Sequence, residues 1–103
     1  MNDLNLGRFS DPSMLILASL ADGAKHGYGM MEDIEAFAHV RLGPGTLYGA
    51  IARLEEAGLI EPLEVSERRR PYRLTSIGAA LLREQLTHLE TFASLGLRRL
   101  GSI

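Results

Sequence analysis

The 103-residue sequence contains no cysteine and no tryptophan. The first absence excludes a disulfide framework, a thiolate nucleophile and a cysteine zinc site, and it fits a reducing compartment. The second removes the best stacking platform for a planar ligand. No apolar run approaches the roughly 18 residues of a membrane span, and the N-terminus "MNDLNLGRFSDP" has no signal-peptide apolar core. A cytoplasmic protein with no membrane partner is expected. Positive charge is not in excess either: 11 Lys and Arg stand against 13 Asp and Glu, a formal net charge of −2. Bulk charge therefore does not point to nucleic acid, and any local concentration of arginine becomes the more informative quantity. His26, His39 and His88 lie far apart, none at ligand spacing with a carboxylate, so no metal is expected. No Ser-His-Asp order, P-loop or dinucleotide fingerprint occurs, so neither a cofactor nor catalysis is expected.

What the chain does have is one domain's worth of patterned elements. Met1 to Phe9 is polar apart from Leu4, Leu6 and Phe9 and reads as a loose arm that docks elsewhere. Ser10 or Asp11 can cap a helix running to about Ala21, with Pro12 in its first turn and Phe9 stapled onto Met14. Its body, "MLILASLA", is apolar almost all round: Met14, Leu17 and Ala21 share a face while Leu15 and Ile16 point elsewhere. Such a helix is buried on more than one side, and in a chain this short the extra cover is expected from a second subunit. A second helix fits Tyr28 to Ala38. A third begins with Pro44 in its first turn and ends just before Gly58. "LIEPLEV" and "RPYRLT" have strand character, with Pro62 and Pro71 restricting them to edges or strand starts, and "SERR" makes the tip between them. Thr75 or Ser76 can cap a last helix from about Ile77 to Leu97.

The third helix turns Leu47, Ile51 and Leu54 to a core face, with Ala50 and Ala57 at its edge. The opposite face carries Gly45, Gly49 and Ala52, flanked by Tyr48 and Arg53. Each glycine inside a helix costs about 1 kcal/mol relative to alanine. Two explanations stay open. Gly45 can belong to the helix start and Gly49 be merely tolerated; or the smooth stripe lets another surface approach the backbone, as a helix in a DNA major groove requires. The hairpin favours the second, because "RRRPYR" gathers Arg68, Arg69, Arg70 and Arg73 in an acidic chain. A basic hairpin directly after such a helix suits a wing gripping phosphates. The alternative is a solvated charge run paired with Glu61, Glu64 and Glu67, which would repel phosphate if they share the arginines' face. Alternation turns Tyr72 and Leu74 one way and Arg73 the other. The expected fold is mainly α with a small β-hairpin, a winged helix-turn-helix in the order α-α-α-β-β-α. Residues 1–9 form the arm, 10–75 the DNA-binding domain and 76–103 a dimerisation helix, all in a single compact unit.

That last helix carries its own pattern. Leu82, Leu86, Leu89, Ala93, Gly96 and Leu100 repeat at alternating spacings of four and three, a seam over more than two heptads. Together with Leu15 and Ile16 they are the expected homodimer interface; the alternative is a helix that covers only its own domain. Two-fold symmetry would then set two reading helices about 34 Å apart, for an inverted-repeat operator on double-stranded DNA.

Three stretches carry a resemblance: "HGYGMMEDIE", "GPGTLYGAIARLEEAGLIE" and "RRRPYRLTSIGAALL". With the apolar first helix they cover about Met14 to Leu82, and the chain resembles a PadR-family transcriptional regulator in the short form without a large C-terminal domain. The resemblance implies a winged-helix dimer, usually a repressor, whose last helix joins the first in the interface and which a small aromatic effector de-represses. Thr46, Leu47 and Tyr48 match the family's motif, which makes Thr46 and Tyr48 candidates for phosphate or base contacts, with Leu47 kept as core. The sequence departs from the pattern at Gly43, where the family usually has serine and a side-chain cap is lost, and at Gly49, where proline is common. The expected DNA contacts are thus Thr46, Tyr48, Gly49 and Arg53 on the helix, Arg68, Arg69, Arg70 and Arg73 on the wing, and Arg41 near the helix start. For an effector, Phe9 and Phe92 are the candidates, either lining a cavity or simply core. Two rival functions remain, a winged helix used for protein contact and a ligand-sequestering dimer. Neither would show strongly salt-dependent binding to an operator.

Overall fold

Asp11 opens the first helix: its carboxylate accepts the Ser13 N–H at 3.3 Å, and Pro12 fills a first-turn position where no N–H is needed. The computed structural model describes residues 11–101, so the arm, Ser10 as a cap and the Phe9 staple lie outside the described residues. The elements are α1 (Pro12–Leu20), β1 (Lys25–His26), α2 (Gly27–Ala38), α3 (Pro44–Glu56), β2 (Ile60–Pro62), β3 (Pro71–Leu74) and α4 (Ser76–Gly101). This is the expected winged-helix order with one addition, β1. That strand is too short for any alternation to be legible in sequence, and only its pairing reveals it.

The sheet is antiparallel with strand order β1-β3-β2. Lys25 pairs with Tyr72 and His26 with Pro71 on one side of β3; Ile60 pairs with Leu74, Glu61 with Arg73 and Pro62 with Tyr72 on the other. Proline sits where its missing donor does least harm. Pro62 ends an edge strand, and Pro71 opens the central one while its carbonyl still accepts from the Leu63 N–H at 2.8 Å.

α1 is the centre of the core. Ile16, Met30, Ile34, Leu47 and Ile60, drawn from four different elements, are fully buried, each contributing roughly 1.5–3 kcal/mol of apolar burial. The expectation that a second subunit covers Leu15 and Ile16 is overturned, since they are 4% and 0% exposed within a single chain. The reason is that α2, α3, α4 and β3 all pack against α1. Leu82, the first residue of the anticipated seam, is likewise in this core.

A polar cluster ties the end of α1 to α2. Ser19, the buried polar residue of the core, donates its hydroxyl to Asp33 at 2.7 Å. Lys25 donates to the Ser19 carbonyl and, at 2.6 Å, to Asp22, which holds the Asp22 carboxyl below its ordinary range. Every buried polar side chain among the described residues has a partner, as low-dielectric burial requires.

α4 is anchored at its start. The Thr75 hydroxyl accepts from the Gly78 N–H at 3.0 Å and donates to the Gly58 carbonyl at 2.6 Å, so Thr75 rather than Ser76 is the cap. Gly58, just past α3, adopts φ 77°, a left-handed conformation glycine takes without penalty. The helix runs past the expected end at Leu97 to Gly101, about 39 Å at 1.5 Å per residue. Gly78 faces the backbone of Leu59 so closely that a Cβ would overlap its carbonyl oxygen. Gly78→Ala is therefore expected to lower stability by about 3 kcal/mol through backbone displacement, measured by urea unfolding. A loss under about 1 kcal/mol would mean that α4 can lift off Leu59 freely.

Candidate nucleic-acid interface

α3 divides as its sequence pattern requires. Leu47, Ala50, Ile51 and Leu54 are buried, while Gly45, Thr46, Tyr48, Ala52 and Arg53 are exposed and Gly49 is half-buried. Gly43 is the cap residue and makes no side-chain hydrogen bond, the consequence of having no side chain there. A Cβ on Gly45 would meet nothing within 4 Å, and one on Gly49 would meet only the Arg53 guanidinium at 3.6 Å. Packing demands neither glycine. Their smallness is a property of the outer surface, with Arg53 folded back beside it.

The wing turns on two residues. Glu67 and Arg68 have φ 51° and 66°, and Ser66 and Arg69 exchange backbone hydrogen bonds at 2.8 and 2.9 Å. This is the geometry of a two-residue type I′ turn. The arginines that follow are largely engaged within the chain. Arg70 donates to the Leu63 carbonyl at 2.8 Å. Arg73 donates to Glu61 at 2.6 Å, directly across the strand pair. The Arg69 guanidinium lies over the Tyr28 ring, 5.7 Å from its centroid, with Nη1 3.1 Å from His26 Nε2. Arg68 makes no hydrogen bond or ion pair among the described residues. Glu61 thus shares the face of Arg73 and offsets its charge, whereas Glu64 and Glu67 are simply exposed. Arg41 is exposed near the start of α3 and pairs with Glu35 at 3.3 Å.

These pieces meet in a cleft of about 280 Å³ between the start of α2, α3 and the wing. Arg68, Arg69 and Arg70 line it together with Tyr28, Tyr48 and Tyr72, and no lining residue is acidic. His26 and Gly27 complete the wall. His26 caps α2 by accepting the Gly29 N–H on Nδ1 at 3.1 Å. That it also meets the wing is not legible in sequence, because the two lie 43 residues apart. Partial burial pushes the Tyr72 phenol above its ordinary value, with the Glu55 carboxylate adding and Arg70 opposing. A raised phenol stabilises the fold below the ordinary tyrosine range, and that contribution is lost as pH rises through the raised value.

Beyond Leu82, α4 leaves the body of the chain. Leu89 and Gly96 are half-buried, while Leu86, Ala93 and Leu100 are exposed, Leu100 at 65%. Phe92 is 75% exposed on this projecting stretch; Phe9 lies outside the described residues. A separate cleft of about 390 Å³ lies between α1, β3 and α4, walled by Ala21, Leu74, Leu82 and Leu86 with Arg83 and Glu90 at its rim. Among the described residues no group of three or more His, Asp or Glu could hold a metal ion, and no helix is long and apolar enough to cross a membrane.

Residues 16–84 match the model of the transcriptional regulator PadR-like family. The chain is 40% identical over 81 residues to the transcriptional regulator Rv3488 of Mycobacterium tuberculosis, a match covering 76% of this chain and 75% of that protein. It is 50% identical over 78 residues to an uncharacterised 37.1 kDa protein of the Streptomyces fradiae transposon TN4556, but that match, 76% of this chain, spans only 23% of the transposon protein. Among solved structures, a transcriptional regulator from Clostridium thermocellum superposes with TM-score 0.71 at 28% identity, covering 84% of this chain and 87% of that one. A PadR family transcription regulator from Clostridium difficile shares the fold at TM-score 0.77 and 23% identity, over 86% and 97% of the two chains.

Tyr48 reaches the cleft because Gly27 leaves room: a Cβ there would collide with the Tyr48 ring and hydroxyl. The obstacle is the free end of a side chain, so Gly27→Ala is expected to cost under about 1 kcal/mol in urea unfolding while displacing Tyr48. Altered Tyr48 ring resonances with an unchanged core spectrum would report this; an unmoved Tyr48 would contradict it.

Proposed function

Because the chain belongs to the PadR-like family of transcriptional regulators, it is a DNA-binding regulator, and we propose that it acts as a homodimeric repressor on an inverted-repeat operator. The observation that carries this reading is the exposed, small-residue face of α3 beside a cleft with three arginines and no carboxylate, in a chain of net charge −2. Thr46, Tyr48, Gly49 and Arg53 lie along the major groove. Arg68, Arg69 and Arg70 meet backbone phosphates, in keeping with the division between base contacts that specify and phosphate contacts that position. Arg73 and Arg41, each already paired with a glutamate, contribute less charge than their exposure suggests.

Residues 76–103 serve as the dimerisation helix. Support comes from the projecting part of α4, where Leu86, Leu89, Ala93, Gly96 and Leu100 continue the spacing of the core-facing Leu82, with Leu86, Ala93 and Leu100 exposed and Leu89 and Gly96 only half-buried. With Leu15, Ile16 and Leu82 enclosed, the interface lies farther along α4. The 390 Å³ cleft beside Leu82 and Leu86 is where a small aromatic effector fits, at the junction of the DNA-binding body and the dimer helix.

Selection from random 30-base-pair duplexes, followed by affinity measurements over a salt series, tests this function. An enriched inverted repeat with half-sites about one helical turn apart is the expected result; absence of any salt-sensitive duplex binding would sink it. Arg68→Ala should weaken binding to every sequence alike and lower the slope of log affinity against log salt by about one. Arg53→Ala should instead change which bases are preferred. A uniform loss in both variants would refute the division of roles.

A further inference from the structure

The contact between His26 and Arg69 cannot be satisfied by the protein alone. His26 Nδ1 accepts from the Gly29 N–H, and a backbone amide only donates, so Nδ1 carries no proton and the neutral ring has its hydrogen on Nε2. Yet Nε2 faces Arg69 Nη1 at 3.1 Å, and a guanidinium offers donors only. Two donors converge with no acceptor between them. Moving the ring proton to Nδ1 transfers the conflict to Gly29, and protonating both nitrogens creates it at both ends. No state of the histidine resolves it.

The position is nonetheless held from several sides. Tyr28 supports the guanidinium from below, the exchanged bonds of Ser66 and Arg69 fix the wing strand, and the cap bond fixes the imidazole. An oxygen accepting from both Nε2–H and Nη1–H removes the conflict. The three arginines and the lack of any carboxylate around the cleft select an anionic oxygen. Tyr48, which both lines this cleft and stands on the exposed face of α3, puts its mouth beside the path of a strand following that helix.

We propose that His26 Nε2–H and the Arg69 guanidinium together hold one phosphodiester oxygen of the DNA backbone, making His26 a DNA ligand as well as a helix cap. The inference rests on the DNA-binding function above and adds a residue to that site. Only the Arg69 half of the pair adds formal charge; His26 adds direction, fixing where the phosphate sits relative to α2.

The test uses the full chain and its selected duplex, with single backbone phosphates replaced in turn by neutral methylphosphonate. His26→Asn keeps a good capping acceptor while removing the Nε2 donor, and Arg69→Gln removes the charge without touching the cap. Each variant is expected to weaken binding about tenfold, the scale of one charge-assisted hydrogen bond, on all sequences alike. At one backbone position per half-site, methylphosphonate should weaken the wild type more than either variant, since each variant keeps one of the two partners, and should leave the double variant unaffected. Wild-type affinity in His26→Asn, or losses that multiply in full with methylphosphonate at every position, would overturn the shared phosphate while leaving the DNA-binding function standing. A His26→Asn chain that loses inorganic phosphate binding but keeps full duplex affinity would assign the site to free phosphate and overturn it too. Should that variant unfold, His26→Ser, which also keeps a capping acceptor and lacks the Nε2 donor, carries the same comparison. A wild type that binds no duplex would remove the function proposed above, and this inference with it.

Discussion

A nine-residue helix without a polar face has to be surrounded, and most of this architecture follows from that requirement. α1 is too short and too uniformly apolar to sit at a surface, so α2, α3, α4 and β3 close around it. Once α3 commits Leu47, Ile51 and Leu54 to that enclosure, helical periodicity leaves Gly45, Thr46, Tyr48 and Arg53 on the outside. The same enclosure brings β3 beside β1 and sets the arginine-bearing hairpin next to the start of α2. The outward face of α3 and the basic cleft are thus two results of one packing solution.

The arginines of the wing show how an acidic chain arranges a local positive field. Their partners within the chain are mostly weak or neutral acceptors: a carbonyl for Arg70, a ring face for Arg69. These restrict side-chain rotamers without cancelling charge, so less entropy remains to be lost when an anion arrives. Arg73 is the exception, because the exposed Glu61 opposite it forms a true ion pair, of the kind worth about 0–1 kcal/mol at a surface. Its role is closer to holding β2 and β3 in register than to attracting a ligand.

How much of this was legible beforehand depended on the range of the interaction. Local signals were reliable: Asp11 and Thr75, each one of two adjacent cap candidates, Gly58 past α3, Pro62 and Pro71 at permissive strand positions. The core face of α3 and its bare opposite followed from periodicity alone. The burial of Leu15 and Ile16 was also legible, but its agent was not, since a sequence cannot say whether a neighbour or a second copy supplies the cover. β1 was missed because two residues carry no alternation. The meeting of His26 with Arg69 joins distant stretches that have no signature in common. The cross-strand pairing of Glu61 with Arg73 depended on register, which an open hairpin tip leaves undetermined.

The tip itself sets fold and charge against each other. A type I′ corner is most comfortable with asparagine and glycine, and each ordinary residue held in the left-handed region costs roughly 1–2 kcal/mol. This chain puts Glu67 and Arg68 there. Relaxing the corner at Arg68 would erase the cation at its apex, whereas relaxing it at Glu67 would remove a carboxylate, so a lineage drifting toward greater thermal robustness would meet that exchange at Arg68 alone. The wing is therefore a place where relatives can differ in melting behaviour and in affinity together, with the rest of the chain unchanged.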